Sequence, residues 1–378
     1  MTNSLNLNLP SPGTFVGRVW RHDVAGPALV TTRDGALIDV TAKGVATMSA
    51  LLEMDDPIGW LNSQTGTRLG IIAELAAGEI QILAPCDLQV IKACGVTFAR
   101  SMIERVIEEK AAGNPALALR IRERVTGIIG NSLRNLKAGS PEAMRVKAAL
   151  IEEGVWSQYL EVGIGPDAEV FTKAPVLSSV GFGADVGLHP TSKWNNPEPE
   201  IVLAVNSAGI IKGATIGNDV NLRDVEGRSA LLLGKAKDNN ASCSIGPFIR
   251  LFDETYSIDN VRRARLDLSI LGEDGFSLDD FSTMEEISRD PLDLVAQTCG
   301  THHQYPDGFM LFMGTLFAPV KDRDRPGEGF THKLGDVVTI SNPELGALTN
   351  TVRLCNECPP WTFGMSQLMN NLAGRGLL

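Results

Sequence analysis

The 378-residue chain is short of cysteine, of aromatic side chains and of positive charge. Six cysteines in this length do not make a disulfide framework, and only Cys355 and Cys358, in "CNECPP", stand at a metal-like spacing. Without a second pair or a nearby histidine pattern a zinc site lacks its other ligands, so reduced thiols in a C-terminal loop are expected. Lysine and arginine number 34 against 45 acids, a net charge of -11, and nowhere do they cluster. A duplex-binding surface needs such clusters to neutralise phosphates, so neither nucleic acid nor an anionic membrane is an expected partner. No apolar stretch reaches the roughly 18 residues of a spanning helix. The opening "MTNSLNLNLPSPG" carries neither the basic nor the apolar region of a signal peptide, and the expected location is the cytoplasm. Nucleotide loops are missing too. "GFGADVG" (181–187) has the wrong glycine spacing for a dinucleotide fingerprint, and there is no P-loop.

A hydrophobic share of 43% is enough for a large core and for more than one domain. Residues 14–82 alternate short apolar strands with turns around a helix near 45–54, which predicts a small N-terminal α+β domain over residues 1–85. After Gly95 the spacing turns helical, with Met102, Ile103, Val106 and Ile107 on one face. A second helix is expected over about 116–137, and a third after Ser140, a residue suited to capping, with Pro141 in the first turn. The helical segment thus spans about 100–160. From residue 168 strands return, and "EIVLAVNSAGIIKGATIGNDV" predicts a hairpin turning near Asn206–Gly209. No βαβ alternation is present, which excludes a Rossmann sheet. The second predicted domain is residues 86–378.

Inside "NNPEPEIVLAV", Glu198 and Glu200 lie at i and i+2 and share one strand face. Like charges so placed repel unless a cation lies between them. Read alone, such a pair more often marks a solvated face. Asp219, in the apolar context of "GNDVNLRD", returns along the hairpin and can join the glutamates. Three carboxylates without histidine or cysteine make a hard, all-oxygen site suited to Mg²⁺, Mn²⁺ or Ca²⁺ rather than zinc, with coordination positions left for substrate and water.

The glutamate pair, "GNDVNLRD", "KAKDNNASCSIGPFI", "LFMGT" and "LGDVVTISNPELGALTNTV", in that order, resemble the fumarylacetoacetate hydrolase family over roughly residues 92–355. The resemblance implies an α+β fold: a mixed β-roll catalytic domain with a small N-terminal domain and, here, a helical insertion. It implies Mg²⁺ or Mn²⁺ held by Glu198, Glu200 and Asp219, a 2-oxo acid substrate, and a homodimer or homotetramer. It places Lys237 where the family keeps an active-site lysine, with Lys235 as the nearby rival.

One departure bears on the reaction. Hydrolases of the family carry a histidine in a segment like "G-x-N-Y-x-x-H"; here "GVTFARSMIE" puts Ser101 at the histidine position and Thr97 at the asparagine position. Serine without a partner is no general base near neutral pH, which argues against C–C bond hydrolysis. This version, with "DAEVFTKAP" (167–175), is similar to the family's sugar-acid dehydratases. That implies a hydro-lyase converting 2-keto-3-deoxy-D-xylonate, the same compound as 2-keto-3-deoxy-D-arabinonate, to 2,5-dioxopentanoate in non-phosphorylative pentose oxidation. Lys237 and Glu169 are then the catalytic candidates, and Thr97, Arg100, Ser101 and Thr349 the substrate-binding ones. The alternatives are an acylpyruvate-type hydrolase and a non-catalytic sugar-acid or metal-binding protein.

Overall fold

The computed structural model describes residues 7, 9–72, 80–98, 102, 106, 136–152, 154, 156–317, 321–325 and 329–378. Strands β1 (Phe15–Arg21), β2 (Gly26–Arg33) and β3 (Ala36–Asp39) form a meander. Asp34 and Gly35 close the β2–β3 turn at φ 49° and 73°, the left-handed pair that a two-residue hairpin needs. The remaining strands are β4 (Thr67–Ile71), β5 (Gln81–Leu83), β6 (Val90–Gly95), β7 (Glu169–Ala174), β8 (Asp185–Leu188), β9 (Pro199–Val205), β10 (Ile211–Asp219), β11 (Cys243–Leu251), β12 (Arg265–Leu271), β13 (Ser277–Thr283), β14 (Phe309–Phe312), β15 (Val337–Asn342) and β16 (Gly346–Leu354).

They make two mixed sheets. The first runs β4-β3-β2-β1-β11-β10-β9-β14-β6-β7, with β5 also on β1; the second runs β13-β12-β15-β16-β8. β14 and β6 are parallel, as are β16 and β8. The fold is the mixed α+β type that the sequence predicts. β1 hydrogen-bonds to β11, so the N-terminal strands continue the first sheet; the division at residue 85 is kept as a proposal about folding units.

At the centre, β9 and β11 are buried along their whole length and β10 from Gly213 on. Ile201, Leu203 and Val205 enter one core while Val202 and Ala204 enter the other, on the face that Glu198 and Glu200 share. A fully buried Val, Leu or Ile side chain contributes about 1.5–3 kcal/mol. Such a strand can offset the several kcal/mol that each buried ion costs.

The helix Pro141–Glu152 begins where expected, with the Ser140 hydroxyl accepting from Ala143 N at 3.1 Å. A helix that the strand pattern did not announce, Pro57–Ser63, is capped by Asp56 and opened by its proline. The expected helix over about 116–137 and the start of the first, including Arg100 and Ser101, lie outside the described residues. "FMLFMGTLFAP" is strand only over Phe309–Phe312. Gly314 turns the chain away at φ 87°, and a Cβ there would stand 2.0 Å from the Thr97 hydroxyl.

A buried charge network secures the segment leading into β15. Arg323 grips Asp336 through two bonds of 2.6 and 2.7 Å, and His332 Nδ1 lies 3.0 Å from the same carboxylate. The His332 amide donates to Asn195 Oδ1 at 3.3 Å, tying this segment to the entry of β9. Burial, only partly opposed by Asp336, lowers the His332 pKa, so the folded protein resists a proton that the unfolded chain accepts. Burial opposes ionisation of Asp336, but Arg323 and His332 win and hold it at about 2. Both signs agree: stability is present above the ordinary histidine range, falls first as His332 titrates, and falls again below the ordinary carboxylate range toward about 2. Urea melts of wild type and His332→Gln should therefore show a shallower loss between pH 7 and 5 in the variant; equal slopes would assign that loss elsewhere.

Candidate metal centre

The β9–β10 hairpin builds the site. Its turn is held by Asn206 Oδ1, which accepts from Ala208 N and Ile210 N. Register then pairs Glu200 with Gly217 and Asn218 with Pro199, and Asp219 N donates to Glu198 O at 3.1 Å. The result brings Glu198, Glu200 and Asp219 together, one carboxylate oxygen of each within 4.8 Å of the others, and all three are buried. Among the described residues this is the one His, Cys, Asp or Glu group so arranged. The bland reading of Glu198 and Glu200 as a solvated pair is corrected: exposures are 6% and 2%, because Asn221, Lys237 and the Gly314 turn close over their carboxylates.

Every acid has an ordered partner. Asn221 Nδ2 donates to Glu198 Oε1 at 2.9 Å, and Gly314 N to Glu200 Oε2 at 2.6 Å. Lys237 Nζ stands 2.6 Å from Glu198 Oε2 and 3.0 Å from Asp219 Oδ2. It ends the helix Leu233–Lys237 and is 3% exposed, whereas Lys235 on the same helix is exposed and does not face the acids.

A second lysine, unanticipated from the sequence, closes the cluster. Lys173 on β7 is fully buried, with Nζ 2.7 Å from Asp219 Oδ1, 2.6 Å from Lys237 O and 3.2 Å from Val220 O. It stands at a β-bulge, between Thr172 paired with Lys92 and Ala174 paired with Ile91, and the nearby Phe171 ring lies 5.8 Å from Lys237 Nζ.

Three carboxylates against two ammonium groups leave one negative charge in a buried volume. Burial first, then Asp219 and Glu198, push the Glu200 pKa well above the usual carboxylate range. Burial also opposes ionisation of Asp219, but Lys173 and Lys237 outweigh it and hold that group low. For Lys237 burial opposes the charge and Asp219 and Glu198 more than compensate, so its pKa is raised. Burial beside a cation would lower it; here the adjacent anions dominate. An unrelieved repulsion centred on Glu200, with all-oxygen donors, fits a hard divalent cation.

Thr97 is buried and its hydroxyl donates to Met313 O at 2.7 Å, so it braces the Gly314 turn that holds Glu200. Glu169 begins β7 opposite Gly95, half-buried; a Cβ on Gly95 would stand 2.0 Å from Glu169 Oε2. Gly95→Ala should therefore displace the Glu169 carboxylate at little cost in stability, because the far end of a flexible side chain yields. A drop in turnover with an unchanged melting temperature is the expected result. Thr349 is placed in a cross-strand pair with Thr339, hydroxyls 3.0 Å apart, on the second sheet. The Arg223 guanidinium stacks 4.1 Å from the Trp194 ring centroid beside the glutamate pair. Cys355 is half-buried and Cys358 buried, both as free thiols.

Residues 175–353, which hold the buried acid triad, match the family model described as fumarylacetoacetate (FAA) hydrolase C-terminal. Two curated relatives align with it. One, from Haloferax volcanii, is described as a probable 2-keto-3-deoxyxylonate dehydratase: 29% identical over 53% of this chain and 65% of that protein. The other is the 2-dehydro-3-deoxy-D-arabinonate dehydratase of Saccharolobus solfataricus, 31% identical over 49% of this chain and 58% of that one. The matched part thus spans less than two thirds of either relative. A solved 2-keto-3-deoxy-D-arabinonate dehydratase complexed with magnesium and 2,5-dioxopentanoate superposes with a TM-score of 0.63 at 22% identity, covering 90% of this chain and 99% of that one. A fumarylacetoacetate hydrolase from Exiguobacterium antarcticum shares the fold at a TM-score of 0.56 and 15% identity, over 90% and 99% of the two chains. No helix among the described residues is long and apolar enough to cross a membrane.

Proposed function

We propose that the protein is a Mg²⁺-dependent hydro-lyase that dehydrates a 2-keto-3-deoxy-pentonate, 2-keto-3-deoxy-D-xylonate, to 2,5-dioxopentanoate. The observation that carries the reading is the buried triad with its two lysines, supported by the two relatives named as dehydratases of this substrate class. Glu198, Glu200 and Asp219 would hold the cation, which when bound supplies Lewis-acid polarisation of the adjacent carboxylate and keto oxygens of a 2-oxo acid.

The chain's own residues account for the proton traffic. One proton leaves C3 and the C4 hydroxyl departs with a proton as water; a further proton shift from C5 yields the aldehyde. Lys237, kept charged by Glu198 and Asp219, acts as the donor to oxygen. Glu169, on the strand face shared with Phe171, acts as the acceptor of carbon-bound protons. The Thr97–Met313 bond steadies the turn whose N–H holds Glu200. Arg100 and Ser101 complete the proposed substrate contacts, and the cytoplasm and a homodimer or homotetramer complete the proposed setting.

The test is turnover of the D and L 2-keto-3-deoxy-pentonates with and without Mg²⁺, followed by aldehyde detection. Metal-dependent semialdehyde formation is expected. Cleavage of acylpyruvates without dehydration of either sugar acid would assign the site to C–C hydrolysis instead.

A further inference from the structure

We propose that Lys173 is a fixed counter-charge that sets the electrostatic selectivity of the site, loosening its grip on the cation in order to retain an anionic ligand. The inference rests on the reading of the triad as a divalent-cation site. It begins with the geometry of one side chain. Lys173 is fully buried; its Nζ donates to Lys237 O at 2.6 Å and to Val220 O at 3.2 Å, and it forms an ion pair with Asp219 Oδ1 at 2.7 Å. Held by two carbonyls and one carboxylate, the ammonium group has no acceptor to offer a reacting group. It is a positioning residue.

Its position has two consequences. It occupies Asp219 Oδ1, so Asp219 turns its other oxygen, Oδ2, toward Lys237 and the cluster. It also clamps the carbonyl of Lys237, which the Ser242 hydroxyl holds as well at 2.8 Å. Charge gives the functional difference. Three carboxylates and two ammonium groups carry one net negative charge, so a divalent cation brings the assembly to one net positive charge. That state attracts a monoanionic 2-oxo acid. Without Lys173 the acids would hold the cation more tightly, and the loaded site would be neutral and indifferent to the anion.

The test uses wild type, Lys173→Met and Lys173→Gln, each purified with Mg²⁺ and checked for folding by circular dichroism. Calorimetry measures Mg²⁺ binding to the stripped proteins, then oxalate and oxamate binding to the Mg²⁺-saturated ones. Coulombic coupling in a buried site predicts Mg²⁺ affinity higher by about tenfold and oxalate affinity lower by about tenfold in the variants. Oxamate, with one charge fewer, should lose less than oxalate. A merely structural lysine would weaken cation and anion together, and that result, or no change in either, overturns the proposal. Should neither variant fold, the wild type serves: the Mg²⁺-saturated protein must bind oxalate more tightly than oxamate, and equal or reversed affinities overturn the proposal. A wild type that binds no Mg²⁺ overturns this inference and the metal reading together; a wild type that binds it beside unresponsive variants overturns this inference alone.

Discussion

Glu200→Gln should yield a folded protein with no usable metal site. The glutamine carbonyl can still accept the Gly314 N–H that Glu200 Oε2 accepts at 2.6 Å, so the turn survives. The charge does not. Mg²⁺ affinity should fall by at least about 100-fold, more than the roughly 10–100-fold typical of losing a ligand's outer partner, because a ligand itself is lost. Metal-dependent turnover should vanish with it. The same change should raise the melting temperature of the metal-free protein. Glu200 is the acid that burial and its neighbours Asp219 and Glu198 resist ionising, and a neutral isostere removes that conflict. Higher stability without metal, combined with no metal-induced shift, is a signature that a damaged core would not give. Calorimetry and thermal melts with and without Mg²⁺ check both halves. A lower melting temperature, or retained affinity, would remove Glu200 from the cation's ligands.

Lys237→Met should cost more stability than any other single change at the site. It strips an ammonium group from between Glu198 and Asp219 and leaves two buried carboxylates facing each other. Removing one partner of a buried ion pair costs about 3–5 kcal/mol. Turnover should fall by about 10²–10⁴, the usual span for a lost acid or base. Mg²⁺, which relieves the same repulsion, should bind no more weakly than in wild type and should restore much of the lost stability. That contrast separates the two variants: Glu200→Gln keeps the fold and loses the cation, while Lys237→Met loses turnover and keeps the cation. Urea melts in EDTA and in Mg²⁺, beside single-turnover assays, distinguish them. Turnover near wild type would move the proton donor to another residue.

The hairpin and its acids were legible because both signals are local. An unbroken apolar run before Asn206 and a second apolar stretch after Gly209 specify β9, the turn and β10. The i, i+2 spacing puts Glu198 and Glu200 on one face whatever the rest of the chain does. Lys173 was not legible in the same way. Its role depends on β7, four strands from β10 in the order, being brought back so that Lys173 meets Asp219, a long-range approach that no local pattern encodes. Its own environment in "DAEVFTKAP" is half-polar, and the β-bulge that places it leaves no local mark. The burial of Lys237 was not legible from its neighbours either. Lys235 and Asp238 on either side are exposed, and only the final turn of a short helix drives position 237 inward. The Gly314 turn hid inside an apolar run. "LFMG" looks like continuing strand until the positive φ at the glycine frees its N–H for Glu200.

A crystal soaked in Mn²⁺ and measured at the manganese absorption edge tests the central claim most directly. The account predicts one strong anomalous peak in the protein, within bonding distance of Glu198, Glu200 and Asp219, with Lys173 still on Asp219 Oδ1. A peak elsewhere, or none there at a saturating Mn²⁺ concentration, would contradict it.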